Sequence, residues 1–116
     1  MDDRRARELV AGERTRIESR LRELVNEVRA EDSLERQQTG ESDSGSELAT
    51  EMVEVAMVVD LRTELAAVAR AEQRIAAGTF GRSIDSGLAI PDERLEAVPL
   101  AERTTEEQQM YDDGAR

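Results

Sequence analysis

The apolar residues of two long stretches pair off in a single register, and this constrains the fold more than any other feature. From Asp3 to about Gln37 there is no proline and one glycine, Gly12. Val10, Ile17, Leu21, Leu24 and Val28 recur there at steps of seven, four, three and four, a heptad-like seam. A second stretch, from about Glu47 to Ala77, spaces Val58, Leu61, Leu65, Val68 and Ile75 in the same way. In an antiparallel hairpin, the numbers of facing residues have a constant total. Val10 with Ile75, Ile17 with Val68, Leu21 with Leu65, Leu24 with Leu61, Val28 with Val58 and Leu34 with Met52 all total 85 or 86. The polar break in the seam fits as well, since Arg14 faces Glu72 in that register. The midpoint falls near residue 43, inside the Gly-, Ser- and Asp-rich segment Gln38–Ser46. The pattern predicts a long antiparallel coiled-coil hairpin over residues 1–77, with arms roughly 45 to 50 Å long.

Charge is concentrated at the far end of this hairpin. The 116-residue chain carries a formal charge of −11. Residues 31–54 hold eight acids (Glu31, Asp32, Glu35, Glu41, Asp43, Glu47, Glu51 and Glu54) against Arg36 alone. The turn near 38–47 is therefore an acidic tip, either a solvated face or a finger steered into a basic or metal-bearing cavity. This balance argues against direct nucleic-acid binding, which needs a basic face, and the 2% aromatic content gives no stacking platform. Without Cys or His there is no disulfide, thiol nucleophile, Ser-His-Asp triad or ordinary zinc site. No catalytic or metal-binding residue stands out, no cofactor is implied, and an enzyme is not expected. With no apolar run of about 20 residues and no signal peptide, the expected location is the cytoplasm, away from membranes.

The periodicity stops at Gly78, and residues 78–116 read as a small separate module. Two short extended pieces flank a turn at Asp85-Ser86-Gly87. A short helix is expected from Asp92 to Ala97 after Pro91, with acids in its first turn. Thr104-Thr-Glu-Glu107 is a Thr-x-x-Glu capping box that starts a terminal helix at about Thr105. Phe80, Ile84, Leu88, Ile90, Leu95, Val98 and Leu100 are the expected apolar cluster of this module. The fold class expected is mostly α: a long hairpin, a small C-terminal module and a terminal helix.

The run Arg74-Ile-Ala-Ala-Gly-Thr-Phe-Gly81, followed by Ile90-Pro-Asp-Glu-Arg-Leu-Glu-Ala-Val-Pro99, resembles the C-terminal module of the DksA/TraR family of bacterial RNA polymerase regulators. A coiled-coil hairpin is the family's other hallmark. The resemblance implies that four zinc-binding cysteines of a zinc-finger-like module fall at Ser83, Ser86, Thr104 and Glu107, so the ligand set is lost and no metal is held. It also implies RNA polymerase core as partner, with the hairpin inserted into its secondary channel and the tip residues Glu41, Asp43, Ser44, Glu47 and Ala49 near the catalytic centre. The family's tip motif, Asp-x-x-Asp-x-Ala, matches Ser44-Gly-Ser-Glu47-Leu-Ala49 with the first acid lost, and Asp43 sits one place before it. Cooperation with guanosine tetraphosphate at the complex would follow from the family. Two alternatives are a Gre-type cleavage factor, with Asp43 and Glu47 holding magnesium, and a coiled-coil adaptor or oligomerisation protein with no polymerase role.

Overall fold

The computed structural model describes residues 1–37 and 44–114, with side chains described for 1–30 and 48–114. Two long helices, α1 (Asp3–Gln37) and α2 (Ser44–Ala77), form the hairpin, and two short ones follow: α3 (Asp92–Ala97) and α4 (Thr105–Gly114). The described residues form no named strand; one isolated antiparallel bridge joins Arg82 and Ala89.

The chain divides into two compact units. One comprises residues 15–66. Its buried side chains among those described are Ile17 and Leu24, with Leu21, Val28, Val58, Leu61 and Leu65 half-buried. Arg16 and Glu64 form an ion pair across the helices at 4.0 Å. The seam is narrow, as two helices without a third layer require. Met52 departs from the expected register: it is 65% exposed. At about 100° per residue it lies on the far side of α2 from Leu61 and Leu65, so a helix that packs those two turns Met52 outward. The side chain of Leu34, its expected partner, lies outside the described residues.

The other unit comprises residues 1–14 and 67–116. Ala6, Val10, Val68 and Ala71 are buried where the starts of α1 and the end of α2 meet. Arg14 donates to both carboxylate oxygens of Glu72, at 2.5 and 3.3 Å, and this pair reports the register read from the sequence. Helix α2 ends in a Schellman motif: the Thr79 N–H donates to the Arg74 carbonyl at 2.9 Å and Gly78 N–H to Ile75 at 3.2 Å. Gly78 sits at φ +76°, a conformation that costs glycine little.

The remainder of this unit packs Ile90, Leu95 and Ala101 together, with Phe80 half-buried against them. Gly81, at φ +84°, brings its backbone to where a β-carbon would touch Leu95. Leu100 is half-buried. Ile84, Leu88 and Val98, expected in the cluster, are instead 50, 62 and 45% exposed. A single bridged ribbon covers only one of its faces, and the inward position here is taken by Ser83 rather than by Ile84 or Leu88.

Candidate functional site

The residues singled out in the C-terminal segment come together around one carboxylate. Ser83 is a buried polar residue, 5% exposed. Its hydroxyl donates to Glu107 Oε2 at 2.9 Å and accepts from the backbone N–H groups of Asp85 and Ser86. The Ser86 hydroxyl accepts from the Leu88 N–H. The capping box is closed in both directions: Thr104 N–H donates to Glu107 Oε1 at 3.1 Å, and Glu107 N–H donates to Thr104 Oγ1 at 3.2 Å. Ser83, Ser86, Thr104 and Glu107 therefore make one hydrogen-bonded knot that ties the ribbon after Gly78 to the start of α4.

The electrostatics of Glu107 follow from this. Loss of solvation favours the neutral acid, but hydrogen bonds from Ser86, Thr104 and Ser83 outweigh it and hold the carboxyl at about 2. Both oxygens are engaged by neighbours within the protein. Helix α4 has no buried residue; besides the knot, Arg103 lies over the Tyr111 ring at 4.0 Å and pairs with Asp85 at 2.7 Å.

A second cluster was not foreseen from the sequence. Glu102 receives Arg70 and Arg74, each with a closest approach of 3.0 Å. Hydrogen bonding from Arg70 holds its carboxyl below the usual range against the opposing effect of burial. Arg74 is the more enclosed cation, and one of its terminal nitrogens is buried without a hydrogen-bond partner. The Glu102 carbonyl also accepts from the Ile84 N–H at 2.9 Å. Arg5 pairs with Glu96 on α3, and the Met1 amino group with Asp92 at 3.0 Å. The sequence signal for Glu102 is slight: an acid set between Ala101 and Arg103.

Of the expected tip residues, Glu41 and Asp43 lie outside the described residues. Ser44 and Glu47 belong to the first turns of α2, their side chains outside the described set, and Ala49 is exposed on α2. Among the described residues no helix is long and apolar enough to cross a membrane, and no group of three or more acidic side chains is placed to hold a metal ion.

These features define a class: a two-helix antiparallel finger with a small, mostly helical C-terminal module. The same fold occurs in transcription factor DksA2 from Pseudomonas aeruginosa, which superimposes with a TM-score of 0.82 at 23% sequence identity, over 98% of this chain and 85% of that one. No protein-family model and no curated protein sequence matches the chain.

Proposed function

We propose that this protein is a bacterial transcription regulator that binds RNA polymerase core directly, without contacting nucleic acid. The observation that carries the reading is a fold shared over 98% of the chain with a transcription factor. The resemblance of the Arg74–Gly81 and Ile90–Pro99 runs to the DksA/TraR family supports it, as does the acidic charge of residues 31–54. In this reading residues 1–77 are the finger, residues 78–116 the module that rests against the polymerase rim, and the protein works in the cytoplasm as a non-enzyme. The tip residues Glu41, Asp43, Ser44, Glu47 and Ala49 enter the secondary channel. Guanosine tetraphosphate, where it acts, does so at the complex.

The same reading makes Ser83, Ser86, Thr104 and Glu107 the positions of a lost zinc site. The donors do not suit the metal. Hydroxyls of Ser and Thr are poor zinc ligands at neutral pH, and each oxygen of the single carboxylate already accepts a hydrogen bond. The knot takes over the mechanical task of joining ribbon to helix.

The test is competition. Purified protein should displace a known secondary-channel factor from core polymerase at low salt and lose affinity as salt rises, since charge steers the encounter. Replacing Asp43 and Glu47 together by Ala should leave much of the affinity, because exposed single charges contribute about 1 kcal/mol or less, yet alter the effect on initiation. Failure to compete would sink the reading in favour of a coiled-coil adaptor.

A further inference from the structure

Helix α2 carries a second apolar stripe that the hairpin leaves uncovered. Leu48, Met52, Val55 and Val59 recur at steps of four, three and four and are 58, 65, 63 and 55% exposed. At about 100° per residue they share one edge of the helix. Ala56, Thr63 and Ala66, also exposed, widen that edge with small side chains. It lies on the side of α2 away from Leu61 and Leu65, so α1 cannot cover it while packing the seam. An isolated exposed Val or Leu is ordinary; four large side chains in coiled-coil spacing over three turns are the pattern of a helix made to be covered.

We infer that this stripe is a docking face for a larger protein that offers an apolar groove with a rim of Lys and Arg. The assignment rests on the polymerase reading and adds which face of the finger is held. Charge selects the occupant. From Ser44 to Asp60 helix α2 carries four acids, Glu47, Glu51, Glu54 and Asp60, and no arginine. Glu51 and Asp60 are exposed on opposite flanks of the stripe. A basic rim complements them. A second copy of this chain would set the same acids against each other in a protein of charge −11. Four large side chains also fall short of the roughly 800 Å² per partner that a stable interface of standard size buries. A larger protein that grips the finger elsewhere as well meets that shortfall.

The experiment compares the full chain with a Met52→Gln/Val55→Thr/Val59→Thr variant, whose sites are solvent-exposed and whose side chains keep their size and branching. Helicity by circular dichroism should be unchanged, while affinity for core RNA polymerase in competition should fall about tenfold or more. Wild-type binding with an unweakened variant overturns the stripe assignment and leaves the polymerase reading standing. A wild-type chain that does not bind core polymerase overturns that reading and this inference with it. Sedimentation supplies a further arm: a wild-type dimer at micromolar concentration that the variant abolishes gives the stripe to a second copy and overturns the proposal. Should the variant lose helicity, a photoreactive benzophenone amino acid at position 55 of the otherwise wild-type chain decides. Cross-links to polymerase support the docking face, and cross-links confined to the protein's own chain overturn it.

Discussion

Ser83→Ala is the sharpest perturbation of the C-terminal knot, and its cost can be worked from the contacts. The substitution deletes one hydrogen bond to a charged acceptor, Glu107 Oε2 at 2.9 Å. A bond of that kind contributes about 1.5 to 3 kcal/mol. It also removes the acceptor of the Asp85 and Ser86 N–H groups. Both of those residues are exposed, so water reaches the freed amides after a small shift and their penalty is slight. The vacated space is only a hydroxyl, so no cavity term of consequence is added. The total is about 2 kcal/mol, equivalent to a fall of roughly 8 °C in the thermal midpoint for a domain of this size. The chain's single tyrosine makes the assay local. Tyr111 sits on α4 beneath Arg103, so its near-ultraviolet circular dichroism and fluorescence report the docking of that helix. Loss of the Tyr111 signal should precede loss of far-ultraviolet helicity in the variant and coincide more nearly with it in the wild type. A variant within about 0.5 kcal/mol of wild type, with an unchanged Tyr111 signal, would refute the idea that the knot holds α4.

The seam makes its own forecast: Leu24→Ala should cost about 2 to 3 kcal/mol, and Leu48→Ala less than about 0.5, read from urea midpoints. Equal costs would mean that Leu24 is not the buried member of the pair. Acid should loosen the C-terminal segment. Glu107 titrates at about 2 when folded and near the ordinary 4.5 when unfolded, so the unfolded chain binds more protons between those values. Its stabilising effect is complete above about 4.5 and fades as pH falls towards 2, and a pH series on Glu107→Gln should show a flatter profile over that window. Glu102→Ala should cost about 2 kcal/mol by stranding Arg74, whereas Glu96→Ala, at an exposed pair, should barely register in the same melt. Excess chelator should leave the wild-type melting curve unmoved, and stoichiometric zinc surviving dialysis would contradict the reading of Ser83, Ser86, Thr104 and Glu107 as a metal-free knot.

The parts of the fold that were legible in the sequence are those whose partners are indexed by spacing. The hairpin register could be counted because two helices of equal rise force facing residues to a constant total; the Arg14–Glu72 pair sits in the counted register, whereas Met52 does not. The capping box at Thr104 and Glu107 was legible for the same reason: its donors and acceptors are three residues apart. The Arg70–Glu102 and Arg74–Glu102 pairs are separated by 32 and 28 residues through a bridged ribbon and a short helix, and no periodicity encodes that closure. Hydropathy places Ile84 and Leu88 inward, but a ribbon with one covered face has room for one small side chain there, and Ser83 has it because its hydroxyl has three partners. The constant total places Met52 opposite Leu34 in the seam, but α2 is apolar on more than one face, and a total does not say which apolar edge turns inward. The tip residues Glu41 and Asp43 rest on the resemblance and on the acidic charge of residues 31–54.

Under the proposed reading, a hydrogen-bonded carboxylate stands where the family holds a metal centre, and this changes which conditions the module answers to. Cysteine thiolates around zinc are lost to oxidants and to chelators, and a structural zinc site contributes folding free energy outright. Hydroxyls of Ser83, Ser86 and Thr104 are inert to both. The knot's weak point is instead the single charge at its centre: each of its inter-element links ends on Glu107, directly or through Ser83. Under the proposed reading, a regulator built this way keeps its C-terminal module assembled through metal limitation or oxidative conditions and loosens only in strong acid. Arg5–Glu96, Arg14–Glu72 and the two Glu102 pairs brace the unit containing the module through charged contacts, while the unit of residues 15–66 has only Ile17 and Leu24 fully buried among its described side chains. Under the proposed reading, the uncovered stripe lies on this second unit, and a partner seated on it would add to the apolar burial there.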